Sequence, residues 1–204
     1  LNQSFGLNLS GEDITPLLER TEGWIASLRL AGLSLQGRND TSEFIQSFAG
    51  SHRFIVDYLV EEVLERQPPD VREFLLETSL LERLNASLCD AMTGREDGQK
   101  MLEHLEHANL FLISLDDDRN WYRYHHLFAD FLRARSSQLY PSNVLSLHLQ
   151  AATWLEQNGF VDAAVQQLLS AKAWAEAMHL IGAHIPVKSS HGESLTIVRW
   201  LSAL

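Results

Sequence analysis

Cysteine occurs once in the 204 residues, at Cys89, so no intrachain disulfide can form and the composition suits a reducing compartment. Its neighbours Leu88 and Met92 predict a small buried hydrophobe rather than a reactive thiol. No apolar run approaches the roughly 18 to 20 residues of a membrane span. The opening LNQSFGLNLS has neither the basic nor the apolar region of a signal peptide, so a cytoplasmic location with no membrane partner is expected. Positive charge is scarce too. A formal net charge of -11 repels a phosphate backbone, and the arginines at 119, 123, 133 and 135 are interrupted by Asp116, Asp117, Asp118 and Asp130. No direct nucleic-acid binding by this segment is expected.

The motifs of common chemistries are missing as well. There is no G-x-x-x-x-G-K-[ST] to cradle nucleotide phosphates, and Gly98-Gln99-Lys100 is no substitute. A G-x-S-x-G elbow, an H-E-x-x-H pair and a second cysteine are all absent, which leaves hydrolase, metalloprotease and zinc readings without their minimum parts. His104 and His107 stand three apart beside Glu103 and Glu106, a spacing that more often marks a solvated polar stripe than a metal site. No catalytic residue, metal site or cofactor is therefore assigned within the segment itself, and it is expected not to be an enzyme.

What is present is an ordinary globular composition, 45% hydrophobic and 21% charged, in a chain long enough for one large or two small cores. The missing initiating Met and the uncapped final stretch IVRWLSAL lead to the expectation of a piece of a longer protein.

Helical periodicity runs through the first hundred residues. Ser10 and Asp13 offer a capping box for a short helix at about 11–20. Trp24, Leu28, Ala31 and Leu35 share one face of a second that Gly37 stops, and Asp40 or Thr41 caps a third carrying Phe44, Ile45 and Phe48. The Pro68-Pro69 pair separates a helix lined by Ile55, Leu59 and Val63 from one lined by Val71, Phe74 and Leu75. Shorter helices follow around 86–92 and 95–107. Two β-prone runs, 110–115 and 121–125, then flank the polar turn 116–120, giving one hairpin in a helical chain. That order is the order of a winged-helix domain, with the hairpin as wing. Helices at about 126–138 and 143–158 come next, parted near Pro141. Gly159, Ala164, Trp174 and Ala177 then suggest one and a half units of a tetratricopeptide-type array.

The most pointed local feature is Trp121 to Arg135, where an aromatic strand runs into an amphipathic helix with His125 and His126 at the junction. The first N–H groups of a helix lack intrahelical partners and favour negative charge, so a phosphate is the obvious guest there. Local hydrogen bonding by two helix-start histidines is the plainer alternative.

TEGWIASLRLAGLSLQGR, GSHRFIVDYLVEEVL, LDDDRNWYRYHHLFADFLRAR and the stretch from Trp154 to Ala164, in this order and spacing, resemble the middle of the large ATP-binding transcription regulators of the LuxR family, MalT type. The resemblance implies a mainly α chain in three parts. These are a helical domain over 1–50, following a nucleotide-binding domain not present here, a winged-helix domain over 51–135 with its wing at 109–125, and the first helices of a tetratricopeptide-like sensor array over 136–204. It implies ATP or ADP bound by the full-length protein, which would be a slow signal-transducing NTPase, and none held by this segment alone. The implied partners are its own nucleotide-binding domain and sensor array, with self-association in the active state.

In the wider NTPase class this junction carries Met-His-Asp, whose histidine touches the β-phosphate of ADP; Tyr124, His125 and His126 stand there, so His125 is the implied nucleotide contact. His126 replaces the aspartate, and Gly23-Trp24-Ile25 stands near the usual Gly-Leu-Pro, departures that remove the salt-bridging carboxylate and the adenine-packing proline. The function expected is to couple nucleotide state to inducer sensing and self-association. The alternatives are a DNA-binding winged helix, against which the acidic stretch REDGQKMLEHLEHA argues, and a helical protein-interaction scaffold without nucleotide linkage.

Overall fold

A computed structural model describes residues 10, 14–16, 35, 59–190 and 193–204. The helices expected before residue 59 lie outside these, apart from a helical turn at 14–16 and the buried Leu35; Trp24, Ile55 and the Gly23-Trp24-Ile25 segment are among the residues not described.

The double proline makes the first complete boundary. Leu59–Leu64 winds as a π-helical turn whose Leu59, Val63 and Leu64 are buried. Pro68 is extended, at φ -53° and ψ 151°, and Pro69 takes the first turn of α1, Pro69–Thr78, where a missing N–H costs nothing. Val71, Phe74 and Leu75 face inward as the periodicity predicts, together with Leu76. Asn85 then starts α2, Ala86–Thr93, its side chain accepting from the Leu88 N–H at 2.8 Å, and Gly94 ends it in the left-handed region at φ 72°.

Helix α3, Gly98–His107, begins three residues later than the sequence pattern suggests. Arg95 is spent on a two-pronged pair with Asp97, at 2.7 and 2.9 Å, and the helix starts where the Gly98 N–H donates to Asp90 of α2 at 2.8 Å. A Cβ at Gly98 would sit 2.7 Å from both the Ala86 carbonyl and that Asp90 carboxylate, so the approach of α2 and α3 requires glycine. Met101, Leu102 and Leu105 are buried.

The wing is shorter than its two β-prone runs. Strands β1, Leu112–Ser114, and β2, Tyr122–Tyr124, pair antiparallel with Leu112 opposite Tyr124 and Ser114 opposite Tyr122. Asn109 and Phe111 adopt φ 53° and 56°, which breaks the extended run at its start. At the tip, the Asp116 carboxylate accepts from the N–H groups of Asn120, at 2.7 Å, and Trp121, at 3.1 Å. A third stretch of chain joins the hairpin: Leu84 and Tyr122 exchange reciprocal N–H to carbonyl bonds of 2.8 Å each.

Beyond the wing come α4, His126–Leu139, and α5, Val144–Gln157, parted around Pro141, then α6, Val161–Ser170, reached through Gly159 at φ 81°. Helices α7, Trp174–Ser190, and α8, Ser194–Ser202, complete the described chain. Buried Ala151, Ala164 and Ala177 present no more than a methyl group where antiparallel helices meet. α5 packs on α6 and also on α2, so the wing and the repeat helices share one apolar core.

No helix of the described residues is long and apolar enough to cross a membrane. The lone cysteine, Cys89, is fully buried, and that burial pushes its thiol above the ordinary range, which makes it the inert hydrophobe expected.

Candidate functional site

Tyr122 and Tyr124 point inward from β2, as alternation along a strand requires with one face on a core. The Tyr124 hydroxyl lies 2.7 Å from Thr78 Oγ1, which in turn donates to the Phe74 carbonyl at 2.6 Å. Since the threonine proton is committed to Phe74, Tyr124 is the donor to Thr78. Burial drives the Tyr124 phenol well above its usual range, and the Thr78 bond lowers it only in part. This neutral chain ties the end of the wing to the end of α1.

His125 follows immediately and is the hinge of strand and helix. Its N–H donates to the Phe111 carbonyl at 2.8 Å, continuing the ladder by one step, while its carbonyl accepts from the Ala129 N–H at 2.9 Å as the first bond of α4. The backbone at φ -56° and ψ 133° places it as the helix cap residue, but its side chain makes no capping bond. The imidazole is stacked on that of His126, centroids 4.7 Å apart and planes 23° off parallel, and His125 is only 5% exposed. No acidic residue lies in the first turn of α4 itself, at the positive end of the helix dipole. Directly beneath, Phe128 is the hub of the aromatic core, 4.7 Å from Phe111, 5.9 Å from Tyr124 and 6.2 Å from Phe131.

A second polar feature was not anticipated by any motif. His148 of α5 and Gln167 of α6 are buried, with His148 Nδ1 2.6 Å from Gln167 Oε1, and Gln167 Nε2 donates to the Leu80 carbonyl at 3.2 Å. Because the Gln167 amide nitrogen faces a carbonyl, its oxygen faces the imidazole, so His148 Nδ1 carries the proton. Burial holds the His148 pKa below its ordinary value, opposed by the Gln167 bond. The pair bridges two repeat helices to the loop after α1. Two isolated polar residues nineteen apart inside apolar stripes carry no signal that sequence patterning detects.

His104 and His107 fall in the last turn of α3, where His107 Nδ1 sits 2.7 Å from the Glu103 carbonyl. Among the described residues no group of three or more His, Cys, Asp or Glu side chains is arranged to hold a metal ion. Among the described residues, His125 thus stands at the end of the wing, His104 and His107 in the last turn of α3, and His148 on α5.

Residues 60–144 match the family described as the MalT winged helix domain. The chain is 39% identical to the serine/threonine-protein kinase PknK of Mycobacterium tuberculosis (strain ATCC 25618 / H37Rv) over 204 aligned positions, 98% of this chain and 18% of that protein. It is 33% identical to the HTH-type transcriptional regulator MalT of Klebsiella pneumoniae (strain 342) over 201 positions, 96% of this chain and 22% of the relative. With MalT of Cronobacter sakazakii (strain ATCC BAA-894) the identity is 35% over 195 positions, 92% of this chain and 21% of the relative. The chain spans about a fifth of the length of these relatives.

Proposed function

We propose that this chain, which carries a MalT-type winged-helix domain, is a segment of a MalT-type regulator and relays the ligand state of neighbouring domains without transforming a substrate. The observation that carries this reading is the continuous core from wing to repeat helices: α2 packs on α5, and Gln167 ties both repeat helices to the loop after α1. On this reading a displacement at the wing is passed to the array through that shared core. A second support is that a similar segment occurs in proteins named as a kinase and as a transcriptional regulator, which suits a part whose contribution does not depend on the output.

In the mechanism proposed, ADP in the preceding nucleotide-binding domain is met at the end of β2, where His125 caps α4. That contact ties the winged-helix domain to the nucleotide domain and holds the protein inactive. Exchange for ATP, favoured by an inducer on the sensor array, releases the tie and permits self-association. The inducer acts only through its different affinity for the two arrangements. His125 is nearly enclosed and stacked on the half-buried His126, so on this reading the pair has to open for a phosphate to reach the imidazole.

The test is His125→Ala in the full-length protein, with ADP retention and basal output measured together. Faster ADP loss and raised output are expected; wild-type values for both would remove His125 from the mechanism. The fragment alone is expected to give no salt-dependent gel shift with duplex DNA, since α3 presents Glu103 and Glu106 near the groove-reading position.

A further inference from the structure

We infer that the seam between the wing and the first repeat helices is a binding site for a free α-amino acid with a large apolar side chain. A cavity of about 520 Å³ lies there, floored by the buried Leu81, Leu88 and Leu155 and walled by Trp121 and Phe160. That volume is in the range of small-molecule sites, and a domain seam is where such sites concentrate.

The wall is aromatic and ordered by its own contacts. Phe160 meets Trp121 edge-on at 5.3 Å and lies parallel to Trp154, 7° apart in plane, at 6.1 Å. Phe160 nevertheless remains 43% exposed, so apolar surface stays in water until something covers it. The walls come from separate parts of the chain, the wing for Trp121 and the start of α6 for Phe160, and an occupant would touch both.

The polar groups select the chemistry. Asp162 is spent on Arg199, at 2.7 Å, and on the Trp200 indole, at 3.2 Å, while Gln167 is spent on His148 and Leu80. Glu82 and Arg83 are different. Both line the cavity, both are exposed, and among the described residues neither has an ion-pair or hydrogen-bonded partner. They lie in a bend just before Leu84, and the reciprocal bonds of Leu84 with Tyr122 hold that bend beside Trp121. One carboxylate and one guanidinium on adjacent residues, lining an apolar pocket, match an ammonium and a carboxylate carried on one α-carbon with an apolar side chain. A ligand of single charge would satisfy one of the pair and be repelled by the other. The assignment is independent of whether His125 meets a nucleotide.

Isothermal titration of the 204-residue chain with L-phenylalanine tests it, with 3-phenylpropionate, which lacks the ammonium, and phenethylamine, which lacks the carboxylate, as comparators. Saturable binding of L-phenylalanine and affinities about ten-fold weaker for both comparators are expected, the loss for one charge-assisted contact at a wet site. Arg83→Gln and Glu82→Gln, both on exposed side chains that the fold does not use, are each expected to weaken L-phenylalanine by a similar factor. Ala163→Trp, which fills the cavity from α6, is expected to abolish binding. Absence of a saturable signal up to about 10 mM would overturn the assignment. So would equal binding of the three compounds, or affinity indifferent to both charge substitutions.

Discussion

The winged-helix half and the repeat half reach stability by different means. In the first, large side chains interlock: Phe128 touches three other aromatic rings, Tyr122 and Phe74 are fully enclosed, and polar groups such as Thr78 and Tyr124 are satisfied inside. In the second, alanines let helices close on one another, and apolar side chains remain outside, with Leu195 of α8 87% exposed and Met178, Val198 and Leu201 also outward. An aromatic hub resists truncation poorly because the void left is large. A small-residue contact resists enlargement poorly because no space exists to take the addition.

The sharpest way to break this contrast is Phe128→Ala, expected to cost about 3–5 kcal/mol in urea unfolding and to take the wing with it. A loss below about 1 kcal/mol would mean that the aromatic hub is not what holds the wing. Ala164→Leu is the converse experiment, and overpacking between α5 and α6 is expected to cost about 1–3 kcal/mol. If Ala164→Leu were neutral, the close approach of the repeat helices would have no energetic meaning.

Tyr124→Phe isolates the polar link within the winged-helix half. It removes the donor to Thr78 while leaving the ring, and a loss of about 1–1.5 kcal/mol is expected from the same unfolding measurement. A neutral result would assign the packing of Tyr124 to its ring alone.

The smallest effect is a slope with pH. His148 is held neutral by burial, so its folded pKa lies below the unfolded value of about 6.5. As pH falls, the unfolded chain takes up this proton before the folded one does. The contribution of His148 is therefore complete above about pH 6.5 and is lost as pH drops through the folded value. His148→Gln is expected to flatten that part of the stability profile relative to wild type, and an unchanged slope would show that the seam does not feel this proton.

Much of the architecture was legible from local chemistry. The break at Pro68-Pro69, the turn at Gly159, the parting at Pro141 and the buried faces of α1 and α3 each follow from a residue's own backbone or from spacing along one helix. The position of His125 at the strand-to-helix junction was legible for the same reason. Its near enclosure was not, because burial depends on what packs over it. The late start of α3 depends on Asp90 and Ala86 of another helix, and the Leu84 bridge is a one-residue pairing across 38 positions that no periodicity announces. The His148 and Gln167 contact was equally invisible, since each residue alone looks like a polar interruption of an apolar stripe.

That single Leu84 bridge makes the backbone its own reporter. Both of its amides are locked to carbonyls between the hairpin and the loop after α1, and neither bond depends on a side chain. In deuterated water these two N–H groups should exchange together, and only when the hairpin and the loop after α1 separate. Their shared rate would measure how often the wing lifts from that loop, without altering a single residue.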